Sequence, residues 1–490
     1  MKTQQVWKFL FLITFFFSGL ILAADVNEPP KNPFLADSPW PMTHRNPYCQ
    51  ASSPLPGPNR GDVERGLYKA RTVSEEAVAI TLNFSPKNSN GNFSIWGSAR
   101  NTVYKLNGIG EKWRSAQSVR KGGKSSQAIS GAYTVLDSNG ILYVPKGTSV
   151  LVYREEELGE PRSSIRKIHE FKIPSKALLN AEEVIVGMNL TYDGYLAMVT
   201  DRSLVIVMNR QTGDSVSLRL NPEEEVSNSL ALDENGGIYV VTHKKMYGLQ
   251  WDGKALRVRW DASYPTNDLV MPGRLGRGSG TTPTLMGIGN QDRLVVIADG
   301  EKKMSIVAFW RDEIPKDWQG IQGYSRRVAG IHPIWFGDPA RERSITDQSL
   351  LVRGYEAVAV NNDYGEHPSD VWSNFWTILW SNYKEYAPYG IEKFEWIPGK
   401  RVLRSVWANP HLSVPNGIPT MSEATQLIYY LGQHDEVWTI EAVDWKTGEL
   451  AFRVPLQNAI KYNSYYAGME IGYDGALVSG TVGGAIRFSQ

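Results

Sequence analysis

From about residue 77 to the C-terminus, short runs of β-branched and aromatic residues alternate with Asn-Gly and Asp-Gly turns. "YTVLDSNGILYVPKGTSVLVYR", "NLTYDGYLAMVTDRSLVIVMNRQTGD" and "NSLALDENGGIYVVTHKKMYGLQWDGK" each read as strand, turn, strand, turn, strand. The turns centre on Gly140, Gly194 and Gly236, where glycine supplies the positive φ that tight hairpins require. Helices should be few, because almost no stretch past the first 24 residues keeps a 3.6-residue period. The exception lies in residues 364–396, where Trp372, Phe375, Trp376 and Trp380 fall at i, i+3, i+4 and i+8. That spacing predicts a short helix packed on the body by its aromatic face, or a lid over a binding mouth.

One such hairpin unit cannot bury both of its faces, whereas a ring of them can. Units begin near residues 131, 189, 228, 281, 361, 416 and 463, with insertions at about 311–354 and 364–395. The strands from Ile80 to Leu106 form an eighth unit or complete the last one. The expected fold is all-β, a single β-propeller over residues 77–490, with seven blades and with six or eight left open. Closure should join the two chain ends within one blade, which removes exposed strand edges.

Ahead of the repeats stand two other segments. Residues 1–24 carry an early Lys2 and Lys8, an apolar run from Phe9 to Leu22, and Ala23-Ala24, the pattern of a secretory signal peptide. The run is shorter than the roughly 20 residues a membrane-spanning helix needs, so no membrane span is expected after cleavage. The protein is then secreted or periplasmic. Residues 25–76 are rich in proline and should run as an extended arm over the body, anchored by Trp40 and Met42.

The stretch "AVDWKTGELAFRV" (442–454) resembles the repeat of the pyrroloquinoline-quinone-type β-propellers, and "VMNRQTGDSVSLRL" and "GLQWDGKALRVRW" are looser copies. "SPWPMTHRNPY" is similar to the Trp-Pro-Met segment that often precedes such repeats. The resemblance covers most of residues 77–490 and is one of fold. It implies that Asp444 and Thr447-Gly448 make a tight turn and that the following aromatic packs between blades. The dehydrogenases of that superfamily often cover their quinone with a ring made by adjacent cysteines, and Cys49 stands alone here. They also hold calcium with Glu and Asn beside a catalytic Asp, a trio that no motif places in this chain. Pyrroloquinoline quinone is therefore not expected, and the absence of Cys-x-x-Cys-His excludes attached c-type haem.

In a propeller the loops leading into the innermost strands open on one mouth. At those positions stand Asn189, Asn228, Thr281 with Thr282, Asn361 with Asn362, Asn416 and Asn463. Converging amides would offer donors and acceptors to one small-molecule ligand; alternatively each asparagine caps its own turn. Asn361, Asp363, Asn416 and Asn463 supply oxygens suited to calcium. His411, a base near neutral pH, and Glu423 are the catalytic candidates, with Glu470 a further carboxylate nearby. Arg274 and Arg277 are candidates for an anionic group on the ligand.

Composition narrows the function classes. Across 490 residues, 52 Lys and Arg balance 51 Asp and Glu for a net charge of +1, which argues against a nucleic-acid binder. A single cysteine excludes an internal disulfide framework and Cys-rich zinc sites. No His-x-x-x-His or Gly-x-Ser-x-Gly occurs, and "RKGGKSS" lacks the first glycine of a phosphate loop. The functions left are a ligand-binding propeller with or without turnover, a scaffold with a protein partner, and a quinoprotein dehydrogenase. Sequons at Asn83, Asn92 and Asn189 matter only in a eukaryotic source. Export predicts a mature protein whose first residue is Asp25, read by N-terminal sequencing of the periplasmic or secreted fraction; a mature chain starting at Met1 would refute it.

Overall fold

The computed structural model describes residues 28–76, 79–108, 113–122, 132–267, 274, 276–365 and 378–490. The expected signal segment lies outside these residues, as do Trp372, Phe375 and Trp376 of the expected aromatic helix. Eight sheets follow one another along the chain, seven of four antiparallel strands and one of four antiparallel strands with a fifth added in parallel, and together they make the blades of a propeller. Numbered in chain order of their inner strands, the blades span residues 82–120, 135–172, 185–219, 231–263, 284–333, 351–413, 420–455 and 469–489. The eighth borrows its outer strand from the other end of the chain: Lys69–Ser74 pairs with Gly484–Ser489. Both chain ends thus meet in one blade, and the described helices are a five-residue turn, Arg60–Glu64, and short 3-10 segments.

Eight blades correct the expectation of seven. Residues 80–106 belong to a complete blade of their own rather than to the last one. Its first hairpin is joined by a loop rather than a two-residue turn, with the Asn88 side chain accepting from the N–H groups of Asn90 and Asn92. Without an Asp-Gly turn between evenly spaced strands, the unit does not match the others in sequence.

Elsewhere the turns are built as the sequence suggests. Asp137 accepts from the N–H groups of Asn139 and Ile141, and Asp233 does the same with Asn235 and Gly237. Gly140, Gly194 and Gly236 take φ values of 72°, 87° and 80°. In the 442–454 repeat, Asp444 accepts from Lys446 and Thr447 N–H, and Gly448 closes the turn. Phe452 then approaches Phe488 of the eighth blade, with ring centroids 6.5 Å apart.

Adjacent blades are held by apolar clusters and by a recurring pin. An indole N–H at the end of a third strand donates to a carboxylate at the first turn of the preceding blade. Trp251 reaches Asp193 at 2.9 Å, Trp396 reaches Asp292 at 3.0 Å and Trp445 reaches Glu356 at 2.7 Å. Each pin fixes one blade's rotation on its neighbour while the ring faces bury apolar area.

The N-terminal arm does not lie over the body, as the sequence suggested, but runs through the axis. Its carbonyls accept from inner strands in blade order: Trp40 from Phe84, Pro41 from Leu136, Pro47 from Leu232, Tyr48 from Leu285 and Gln50 from Val352. The Asn189 side chain of the third blade donates to Pro47 O, and Thr420 Oγ1 of the seventh donates to Ala51 O. Ser52–Ser53 then adds a parallel strand inside the seventh blade. Trp40 and Met42 are indeed anchors, 2% and 1% exposed. Trp40→Ala should cost about 3–5 kcal/mol, the range for emptying a buried aromatic site; a urea midpoint unchanged from wild type would show the arm to be dispensable.

Candidate functional site

In each blade the inner strand starts on one face of the ring. The loops leading into the inner strands therefore share that face with the turns between second and third strands. On this face the loops from six blades converge around a cavity of about 70 Å³. Ile80 comes from the approach to the first blade, Ala132 and Tyr133 from the second and Asn228 from the fourth. Asp347, Gln348 and Ser349 come from the sixth, Ile418 from the seventh, and Tyr465 and Tyr466 from the eighth. The insertion in the sixth blade helps to cover it, since Tyr364 and Ile378 are buried against Tyr466, with Ile80 and Tyr465 beside them.

Most polar groups around this mouth are already used. Tyr133 Oη donates to Asn228 Oδ1 at 3.0 Å, and Asn228 Nδ2 donates to Gly280 O. Asp347 is ion-paired with the buried Arg274 at 3.3 Å. Gln348 is the exception: it is 2% exposed, and neither its amide oxygen nor its nitrogen has a partner among the described residues. Its position is held from behind, because Asn362 Oδ1 accepts from the N–H groups of both Asp347 and Gln348. Tyr465 and Tyr466 adopt φ of 46° and 68°, a left-handed conformation that bulky residues take only when their surroundings impose it.

A second cavity lies toward the axis, about 10 Å³, close to the room of one water. Ile80 and Ile418 line both cavities. His44 of the arm and Glu470 of the eighth blade face the lower one. Glu470 Oε1 accepts from Leu82 N–H at 2.9 Å, while Oε2 and His44 Nε2 have no hydrogen-bond partner among the described residues. Burial raises the Glu470 carboxyl well above the ordinary carboxylate range and lowers the His44 imidazole to about 4.

The sequence-derived candidates are dispersed. Of the proposed ring, Asn228 lines the mouth, and Thr281 is buried beside it with Oγ1 accepting from Ala298 N–H. Asn416 and Asn463 come together over Ser381, donating to its hydroxyl at 3.1 and 3.2 Å. Asn189 sits inside its strand and holds the arm. Asn361 follows the second strand of its blade instead of leading into the first, and binds Tyr389 O and Asp363 N–H. Asp363 is paired with Arg343 at 2.7 Å. Arg277 is exposed. His411 is exposed on the outer strand Val402–Ser413, away from the mouth. Glu423 lies at the opposite face, where it pairs with Arg353, itself bound to Glu28 of the arm. Among the sequons, Asn83 and Asn189 are buried. Gln348 was missed; its only sequence signal is its place just before the true inner strand, Leu351–Arg353.

The overall architecture matches solved propellers. A europium-containing methanol dehydrogenase aligns with a TM-score of 0.56 at 12% identity, over 92% of this chain and 98% of that one. The C-terminal WD40 domain of Sif2 aligns at 0.50 with 8% identity, over 86% and 97%. The fold is thus a β-propeller, the architecture these solved proteins share, and identities this low carry fold alone. No protein-family model matches the sequence. An uncharacterised protein of Archaeoglobus fulgidus is 42% identical over 468 residues, 94% of this chain and 89% of that protein, and the chain belongs to its family.

The two buried titratable groups set opposite pH slopes. Unfolded, Glu470 ionises above about 4.5, so its contribution to stability is complete below that pH and declines as pH rises toward the raised folded value. Neutral His44 contributes fully above 6.5, and that contribution is lost as pH falls from 6.5 toward 4. Glu470→Gln, which keeps the acceptor for Leu82 N–H, should raise the melting temperature at pH 8 and lose that advantage near pH 4.5. A variant less stable than wild type at pH 8 would contradict the assignment.

Proposed function

We propose that this is an exported propeller that binds a small, uncharged organic ligand in its axial mouth. The observation that carries the reading is a cavity of about 70 Å³ assembled by loops from six blades. Apolar walls with few convergent polar groups are the usual form of a small-molecule site. The predominance of Ile80, Ala132, Ile418 and tyrosine rings supports a ligand that is largely apolar.

The cofactor of the matching dehydrogenase fold does not suit these residues. A rigid polycarboxylated quinone needs free cations and a broad slot. Here Arg274 is committed to Asp347, and about 70 Å³ admits roughly five water-sized groups. A resident cation needs clustered oxygen donors, yet Asp363 is tied to Arg343 and Glu423 to Arg353 on the opposite face. Among the described residues no three His, Cys, Asp or Glu side chains gather as a metal site. Calcium, as first considered from Asn361, Asp363, Asn416 and Asn463, is therefore not part of the proposal, and no catalytic step is assigned to His411 or Glu423.

The reading is tested with a panel of neutral molecules of up to about six non-hydrogen atoms, scored by thermal stabilisation and ligand-observed NMR. At least one should bind the wild type, and Ala132→Leu, which fills the cavity from the second blade, should weaken it at least tenfold while remaining folded. Binding unaffected by Ala132→Leu, or no binding from the whole panel, would overturn the axial-mouth assignment.

A further inference from the structure

The wall of the axial mouth also decides which neutral molecules it takes. Its polar groups are largely committed within the protein. Tyr133 Oη donates to Asn228 Oδ1, and Asn228 Nδ2 donates to Gly280 O. The Asp347 carboxylate pairs with Arg274 at 3.3 Å. Ser349 Oγ accepts from Thr282 N–H at 3.2 Å. The Gln348 amide offers a guest nothing, because its oxygen and nitrogen both lie beneath the surface with almost no accessible area.

The surface left to a guest is mostly carbon, with Ile80, Ala132 and Ile418 among its sources. A hydroxyl or amide carried from water against such a wall gives up its hydrogen bonds without replacement, whereas a molecule built of carbon alone gives up none. Water competes poorly there for the same reason, since a bound water needs about two to four polar partners. The aliphatic wall is also held in place. Ile418 N–H donates to Ala467 O at 3.1 Å and Gly468 N–H to Ile80 O at 3.0 Å, so both isoleucines are anchored by backbone bonds that involve the eighth blade. A wall fixed in this way loses little freedom when a guest arrives. The cavity of about 70 Å³ has room for roughly four carbon-sized groups. On the axial-mouth reading above, on which this step rests, we infer that the site is selective for hydrocarbon: it takes an apolar guest of roughly three or four carbons that carries no hydrogen-bonding group, packed against Ile80, Ala132 and Ile418.

The experiment compares xenon, propane and 1-propanol by NMR titration on the full-length folded protein. Xenon and propane should bind at millimolar dissolved concentration, and 1-propanol, which adds a hydroxyl to the propane skeleton, at least tenfold more weakly. Ala132→Leu should weaken xenon and propane at least tenfold. Ile418→Val, a milder second variant that takes one methylene from the wall, should raise the affinity for n-butane relative to propane. Binding of 1-propanol as tight as that of propane, or a butane-to-propane ratio unchanged by Ile418→Val, would refute the hydrocarbon preference. If xenon and propane fail where a polar member of the neutral panel binds in an Ala132→Leu-sensitive way, the preference alone is wrong and the site stands. If neither xenon, propane nor any panel member binds, the preference and the axial-mouth reading fail together.

Discussion

A closed ring of eight blades has an axis too wide to be filled by its own inner strands, and the arm meets that constraint. Several of those strands are only two or three residues long, such as Val135–Leu136 and Ala231–Leu232, so backbone N–H groups and apolar side chains face inward. Left open, the axis would be a wet channel through the core. Instead, residues 40–53 follow the ring and satisfy the strands one after another. The arm also joins the inter-blade clusters, Leu35 and Met42 in one, Tyr48 and Cys49 in another, Trp40 and Ala51 in a third. Its curvature forces His44, Arg45, Cys49 and Ala51 into positive φ. Each such residue costs about 1–3 kcal/mol, which the burial of Trp40, Met42 and Tyr48 offsets.

The blade architecture was legible because its determinants are local. Asp-Gly and Asn-Gly turns, alternating apolar strands and the Asp444 to Gly448 turn each act within a few residues. What escaped was set by distant partners. The strands of the first blade were seen, but whether they formed a blade of their own was left open, because their opening hairpin is closed by a loop around Asn88. The arm's path could not be read because proline density forbids regular structure but does not say where an extended chain lies. Asn361 appeared to lead into an inner strand because the sixth blade was read two strands out of phase; its inner strand, Leu351–Arg353, is short and its long insertion falls after Val360.

The asparagines show the same limit in chemical form. Sequence reveals where amides stand but not what they already hold. Asn189, Asn361, Asn416 and Asn463 all donate to backbone carbonyls or to the Ser381 hydroxyl, in segments far away along the chain. Gln348, whose own backbone N–H and that of Asp347 are held by Asn362, has no partner for either amide atom among the described residues, and that becomes visible only when all the blades are assembled.

The mouth and the seam of the ring are one structure. Ile418, from the seventh blade, bridges to Gly468 of the eighth, and its backbone exchanges hydrogen bonds with Ala467 and Met469. Gly468 N–H in turn donates to Ile80 O, ahead of the first blade. The two isoleucines that line both cavities are therefore fixed by the bonds that join the seventh blade to the eighth and the eighth to the first. Glu470 reinforces the same joint by accepting from Leu82 N–H across it. A floor built this way cannot shift without opening the ring, so the upper cavity is preorganised by closure itself, and whatever occupies it meets a wall already bound on its far side.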